Sequence, residues 1–171
     1  LPVANGGTNL SSGFANGITM ADTWRYTADT GGADGDITAN LERADDPSSG
    51  IIGSGMSQSS GIFTFPSTGI YLILMQCHIT FINEADNGAV VTALVTINNS
   101  DYDDVCRVFA GSNSASNNSR FTCYAQGLVD VTDTSNVKVK FNGSSFDSQT
   151  YLTGNTEKND TSFTFIRLGD T

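Results

Sequence analysis

The side chains best able to do chemistry are few and poorly grouped. His78 is the single histidine in 171 residues, and it sits inside the apolar run Ile73-Leu-Met-Gln-Cys-His-Ile-Thr-Phe81. A Ser-His-Asp relay, a Cys-His pair or a multi-histidine metal centre would each rest on that one ring, so a structural histidine is the better reading. Asp34 with Asp36 and Asp45 with Asp46 could be read as the carboxylate pairs of a glycoside hydrolase. Such pairs arise by chance in an acidic, loop-rich chain, so no catalytic residue is assigned. Asp101, Asp103 and Asp104 could offer oxygens to a structural calcium ion, but the EF-hand spacing, its glycine and its closing glutamate are missing. A solvated acidic turn is the expectation there, and no other cofactor or metal is expected. Gly31-Gly32 does not follow a strand and open a helix, as a phosphate cradle requires.

Cys77, Cys106 and Cys123 are odd in number and widely spaced, which suggests buried thiols and neither a disulfide framework nor a C-x-x-C site. If two of them bridge, Cys106 and Cys123 are the pair to consider, because their segments follow one another across a single loop.

Charge narrows the partners. Lys and Arg total 8 against 18 Asp and Glu, a formal net charge of −10, with no basic stripe to meet a phosphate backbone. Nucleic acid and anionic membrane are therefore not expected partners. The longest apolar stretch, Gly69 to Cys77, is about half the ~20 residues that span a bilayer, and no signal segment is evident. The sequence opens at Leu1 with residues that read like the middle of a linker, as in a fragment or a processed chain.

The elements that must position these residues are strands. No window carries a helical apolar period, and Gly, Ser, Asn, Asp and Thr recur often enough to interrupt helices. Residues 1–20 hold four Gly and three Asn and read as an extended lead-in, with one domain over 21–171. Runs rich in Val, Ile, Phe, Tyr and Thr, bounded by turn residues, predict about eight to ten strands. The clearest are 23–28, 37–43, 61–65, 69–81, 89–98, 102–110, 120–131, 136–141 and 161–168. Val137, Val139 and Phe141 alternate with Lys138 and Lys140, which assigns faces. Tyr71-Leu-Ile-Leu-Met75 is apolar on both faces, although a solvated sandwich strand should be apolar on one. A second subunit covering the outer face explains this; so would a long loop of the same chain, such as residues 29–60.

Three segments carry a resemblance. Gly61-Ile-Phe-Thr-Phe-Pro-Ser-Thr-Gly-Ile-Tyr-Leu-Ile73, then Tyr124-Ala-Gln-Gly-Leu-Val-Asp-Val-Thr-Asp-Thr-Ser-Asn-Val-Lys-Val139, then Ser162-Phe-Thr-Phe-Ile-Arg-Leu168 resemble, in order, the tumour-necrosis-factor and complement-globular-head superfamily. The resemblance implies an all-β, two-sheet antiparallel jelly-roll sandwich forming a homotrimer around a threefold axis. Its second segment implies a hairpin, with Thr134-Ser135 at the turn, and its third a final strand central in the inner sheet. Carried over by position, Leu72, Leu74, Tyr124 and Ile166 would face neighbouring subunits. Phe63, Phe65, Tyr71, Ile73, Phe163 and Phe165 would fill the sandwich, and Pro66 with Gly69 would make the turn between consecutive strands.

Leu-Pro-Val-Ala-Asn-Gly-Gly-Thr-Asn9 resembles linkers that precede modules of bacteriophage tail fibres, and Met20-Ala-Asp-Thr-Trp-Arg25 and Gly53 to Pro66 are similar to modules of marine phage structural proteins. These resemblances imply a non-enzymatic virion protein, a trimeric tail-fibre or spike module in host attachment. Its partners would be itself, other virion proteins and host surface glycan or protein, met by loops 29–36, 83–88 and 111–119. A capsid decoration protein, a secreted recognition ligand of the tumour-necrosis-factor type and a polysaccharide depolymerase are the alternatives.

Overall fold

Residues 17–171 are described by a computed structural model; residues 1–16, most of the expected lead-in, lie outside them. Among the described residues there is no helix, and strand alternation builds two antiparallel sheets. In chain order the strands are β1 (Met20–Tyr26), β2 (Thr30–Gly31), β3 (Gly35–Asp36), β4 (Leu41–Arg43), β5 (Ser57–Ser59), β6 (Ile62–Thr64), β7 (Gly69–Phe81), β8 (Asp86–Thr96), β9 (Tyr102–Ser112), β10 (Ser119–Val131), β11 (Lys138–Ser144), β12 (Thr150–Leu152) and β13 (Ser162–Gly169).

Strand β7 is the spine of the first sheet. Strand β10 pairs with it along one edge from Gly69 to Phe81; on the other edge β13 takes Ile70 to Gln76 and β12 takes Ile79 to Phe81. Strands β1 and β4 extend the sheet beyond β13, and β2 extends it beyond β12. The second sheet runs β5-β6-β11-β8-β9, with β3 also on β11. At the open edge β9 lies against β10 without pairing: a Cβ on Gly127 would come within 2.3 Å of Val105 Cγ1.

Between the sheets lies an aromatic core. Phe141 stacks on Phe163 at 3.6 Å between centroids, Phe63 meets Phe165 at 5.2 Å and Trp24 edge-on at 5.4 Å, and Phe65 meets Tyr71 at 4.7 Å. Phe63, Phe65, Tyr71, Ile73, Phe163 and Phe165 are all fully buried. Each large apolar side chain so buried contributes about 1.5–3 kcal/mol, and each aromatic pair roughly another 0.5–1.5. The turn into β7 closes when the Tyr71 hydroxyl donates to the Ser67 carbonyl at 3.0 Å.

The structure departs from the sequence expectation in three places. Residues 37–43 are not one strand: Asn40 is left-handed (φ 56), which Asn tolerates, so only Leu41–Arg43 reaches β1, while the Ile37 N–H donates to the Phe141 carbonyl. The Tyr124–Val139 segment is not a hairpin, because β10 pairs with β7 and β11 with β8, so the connection passes from one sheet to the other. Asp133 shapes that crossing, accepting from the Ser135 N–H at 2.7 Å and from Asn136 Nδ2 at 2.8 Å. Strands β2, β3, β5 and β12 were not expected, since two or three residues are too short to display a period.

Gly61, which opens the first motif, has φ +78, and a Cβ there would lie 2.0 Å from the Ile37 carbonyl oxygen. Gly61→Ala is expected to cost at least about 2 kcal/mol from backbone strain and collision, read as a lowered urea midpoint. An unchanged midpoint would show that the Ile37 segment moves aside freely.

Candidate functional site

Directly opposed residues of an antiparallel pair share a face, so the register defines the outer face of the first sheet. Leu72 of β7 opposes Leu128 of β10 and Ile166 of β13; Leu74 opposes Gln126 and Thr164; Gln76 opposes Tyr124 and Ser162. Leu72, Leu74 and Ile166 are half-buried, whereas Tyr124 is 71% and Leu128 63% exposed. Among the described residues, no segment shields those two side chains. Residues 29–60 supply β2, β3, β4 and β5, and Ile52 bridges to Ala21 at the edge beside β1. Leu128 was missed from the sequence, although its parity with Tyr124 on one strand could have found it.

Farther along the same three strands the face turns polar: His78 opposes Thr122, and Thr80 opposes Arg120 on one side and Tyr151 on the other. The two halves point to different ends of the sandwich. Met20 opposes Arg167, Gly69 opposes Val131 and Ile70 opposes Gly169 at the apolar end. Phe81 opposes Ser119 and Thr150 at the polar end, where Asp86 opposes Ser112.

Loops 29–36, 83–88 and 111–119 therefore gather at one end, opposite residues 17–20 and 168–171. Carboxylates and an amide tie the crown together. Asp29 Oδ1 accepts from the Gly154 N–H at 3.0 Å, Asp34 Oδ1 from the Phe146 N–H at 2.9 Å, and Glu84 Oε2 from the Gln149 N–H at 2.6 Å. Asp86 Oδ2 accepts from Thr150 Oγ1 at 2.6 Å, and Asn118 Oδ1 from the Asn83 N–H at 3.2 Å. Such bonds hold adaptable polar loops on a rigid scaffold.

This geometry is that of solved jelly rolls. The chain is similar to murine APRIL at 15% identity and a TM-score of 0.57, covering 87% of this chain and 98% of that one. It is similar to Eiger TNF from S. frugiperda at 13% identity and a TM-score of 0.62, covering 91% and 96%. The fold is the tumour-necrosis-factor jelly roll. No protein-family model and no curated protein matches the sequence.

The remaining candidate chemistry is absorbed by structure. Asp45 and Asp46, with Glu42, surround Arg25, whose side chain is 1% exposed; Nε donates to Glu42 Oε1 and Nη1 to Asp46 Oδ2, both at 2.7 Å, and Nη2 bonds Asp45. Burial pulls the Arg25 guanidinium down, but the Glu42 and Asp46 carboxylates outweigh it and raise it above its ordinary value. Asp22, equally buried, gathers Arg43 Nε at 2.8 Å, Trp24 Nε1 at 2.9 Å and the Met56 N–H at 2.7 Å. Residues 20–25 thus hold β1, β4 and the Met56 loop together.

Cys77, Cys106 and Cys123 are free thiols. The considered partnership of Cys106 with Cys123 is not formed: Cys106 opposes Ala93, Cys123 opposes Cys77, and Cys123 Sγ donates to the Phe109 carbonyl at 3.4 Å. Burial, reinforced by Cys123 and Cys106, pushes the Cys77 thiol far up.

Around Asp101, the carboxylate accepts from Asn98 Nδ2 at 2.9 Å, and Asp104 lies 3.9 Å from Arg107. Asp36 accepts from Lys140 Nζ at 2.8 Å and Asn142 Nδ2 at 2.9 Å. The Lys140 bond holds its carboxyl below the ordinary 3.8, against the opposing effect of burial. A depressed carboxyl stabilises the fold above its unfolded pKa, and that contribution is lost as pH falls through the folded value. Asp36→Asn is therefore expected to lower the urea midpoint at about pH 7 and to have little effect at about pH 2. Equal effects at both would deny the ion pair.

Proposed function

We propose that this chain is a trimeric, non-catalytic attachment module. The apolar half of the outer face packs against two sister subunits, and the polar crown meets a host surface glycan or protein. The observation that carries this reading is the division of one sheet face, with Leu72, Leu74, Tyr124, Leu128 and Ile166 toward one end and tied polar loops at the other. Exposed large apolar side chains in one patch mark an interaction surface. A cyclic homo-oligomer covers such a patch while leaving three crowns side by side.

The module is carried on a bacteriophage particle, in a tail fibre or spike. Support comes from the likeness of residues 1–9, 20–25 and 53–66 to phage structural modules, and from the crown standing opposite residues 17–20. Mass spectrometry of the parent particles is expected to find this chain, and purified chain added to host cells is expected to slow particle adsorption. Particles without the chain, or adsorption unchanged at saturating protein, would remove the reading. The resemblance to APRIL and Eiger TNF favours a second reading, a secreted recognition ligand. It would be preferred if the chain is absent from particles and bound instead by a cell-surface protein.

A further inference from the structure

Beside the crown, the polar half of the outer face forms a cleft of about 480 Å3, lined by His78, Arg120, Tyr151, Asp29, Asp160 and Ile82. Its floor is β10, β7 and β12 in register, with Arg120 and Tyr151 on either side of Thr80, and Thr80 and Thr153 bonded through their hydroxyls at 3.0 Å. The volume falls within the range of small-ligand sites, roughly 300–1,000 Å3.

The lining groups have hydrogen-bonding capacity to spare. Arg25, Arg43, Arg107, Lys140 and Arg167 are held in ion pairs, whereas Arg120 has no polar partner among the described residues. The Tyr151 hydroxyl and the Asp160 carboxylate also have none there. His78 uses Nδ1 on Thr122 Oγ1 at 3.0 Å, which leaves its other ring nitrogen, and Asp29 uses Oδ1 on Gly154, which leaves Oδ2. The Tyr151 ring is positioned by backbone, since a Cβ on Gly31 would lie 2.9 Å from its Cε1.

The balance of these groups selects the ligand. An anion would meet the carboxylates of Asp29 and Asp160 in a chain of net charge −10, and a cation would meet Arg120. A neutral, hydroxyl-rich molecule satisfies both kinds of group, because every hydroxyl donates and accepts, and it can lay an apolar ring face against Tyr151 and Ile82. We propose that this cleft binds a neutral sugar unit of a glycan. The assignment deepens the attachment reading and rests on it. In a threefold assembly three clefts would act together, so weak single-site binding becomes firm on a glycan-coated surface.

The test is an amide chemical-shift titration of the full chain with methyl glucoside, methyl galactoside and N-acetylglucosamine, beside glucuronate and glucosamine. At least one neutral probe is expected to shift amides at 78–82, 120–122 and 151–153. Arg120→Ala and Asp160→Asn are each expected to weaken it about tenfold, the loss of one or two hydrogen bonds. Arg120 is exposed and Asp160 half-buried, and retained amide dispersion shows that the variants fold. Equal binding of glucuronate, unchanged affinity in both variants, or no shift with any neutral probe would overturn the cleft. If purified chain still slows adsorption while no neutral sugar binds, the cleft fails and attachment stands; sugar binding without that slowing supports the cleft and removes attachment.

Discussion

Leu74→Arg is expected to turn the proposed trimer into a folded monomer. Leu74 lies mid-face on β7, half-buried in the single chain, beside a groove shared with Gln76, Tyr124 and Thr164. The isolated subunit should tolerate an arginine there, because a long side chain can lead its charge out to water. In the trimer three guanidinium groups would be carried into an apolar contact near one axis, and an unpaired buried charge costs several kcal/mol. Assembly rests on the small excess of apolar burial, about 1.5–3 kcal/mol per large side chain, over the cost of association, so three inserted charges are expected to remove it. Sedimentation of the variant at micromolar concentration should give the single-chain mass with an unchanged β-sheet spectrum. A variant that still trimerises would move the contact elsewhere.

Phe163→Ala is expected to have the largest effect on stability, about 3–5 kcal/mol. Phe163 belongs to β13, at the centre of the first sheet, and its ring lies parallel to Phe141 of the second sheet, 12° from coplanar. Truncation opens a cavity between the sheets and removes the stack. Against a total stability of roughly 5–15 kcal/mol, that loss approaches unfolding at ambient temperature. Urea unfolding followed by tyrosine and tryptophan fluorescence would measure it, and a loss under about 1 kcal/mol would show a core that closes around the gap.

How much of this was legible depended on whether a residue's role was periodic. Strand β7 was read from Gly69 to Phe81, because its run of apolar residues is long and the turn residues Pro66 and Gly69 mark its start. The six aromatic and aliphatic residues assigned to the interior could be placed by parity and motif alone. Arg25, Asp22 and their partners could not, because a buried ion cluster is assembled from β1, β4 and an irregular loop, and no spacing joins Arg25 to Asp46. For the same reason Asp45 and Asp46 looked like chance neighbours. The polar cleft gathers Asp29, His78, Arg120, Tyr151 and Asp160 from distant parts of the chain, so only strand register brings them together. The loop crown was found as separate segments, and its common end became readable once Phe81 was seen opposite Ser119 and Thr150.

Sedimentation equilibrium of the unmodified chain, across a hundredfold range of concentration, tests most directly whether sister subunits cover the Leu72–Leu74 face. The expected result is three times the 18.0 kDa chain mass at every concentration above the micromolar range. A single species of 18.0 kDa throughout, with Tyr124 and Leu128 open to solvent, would contradict it.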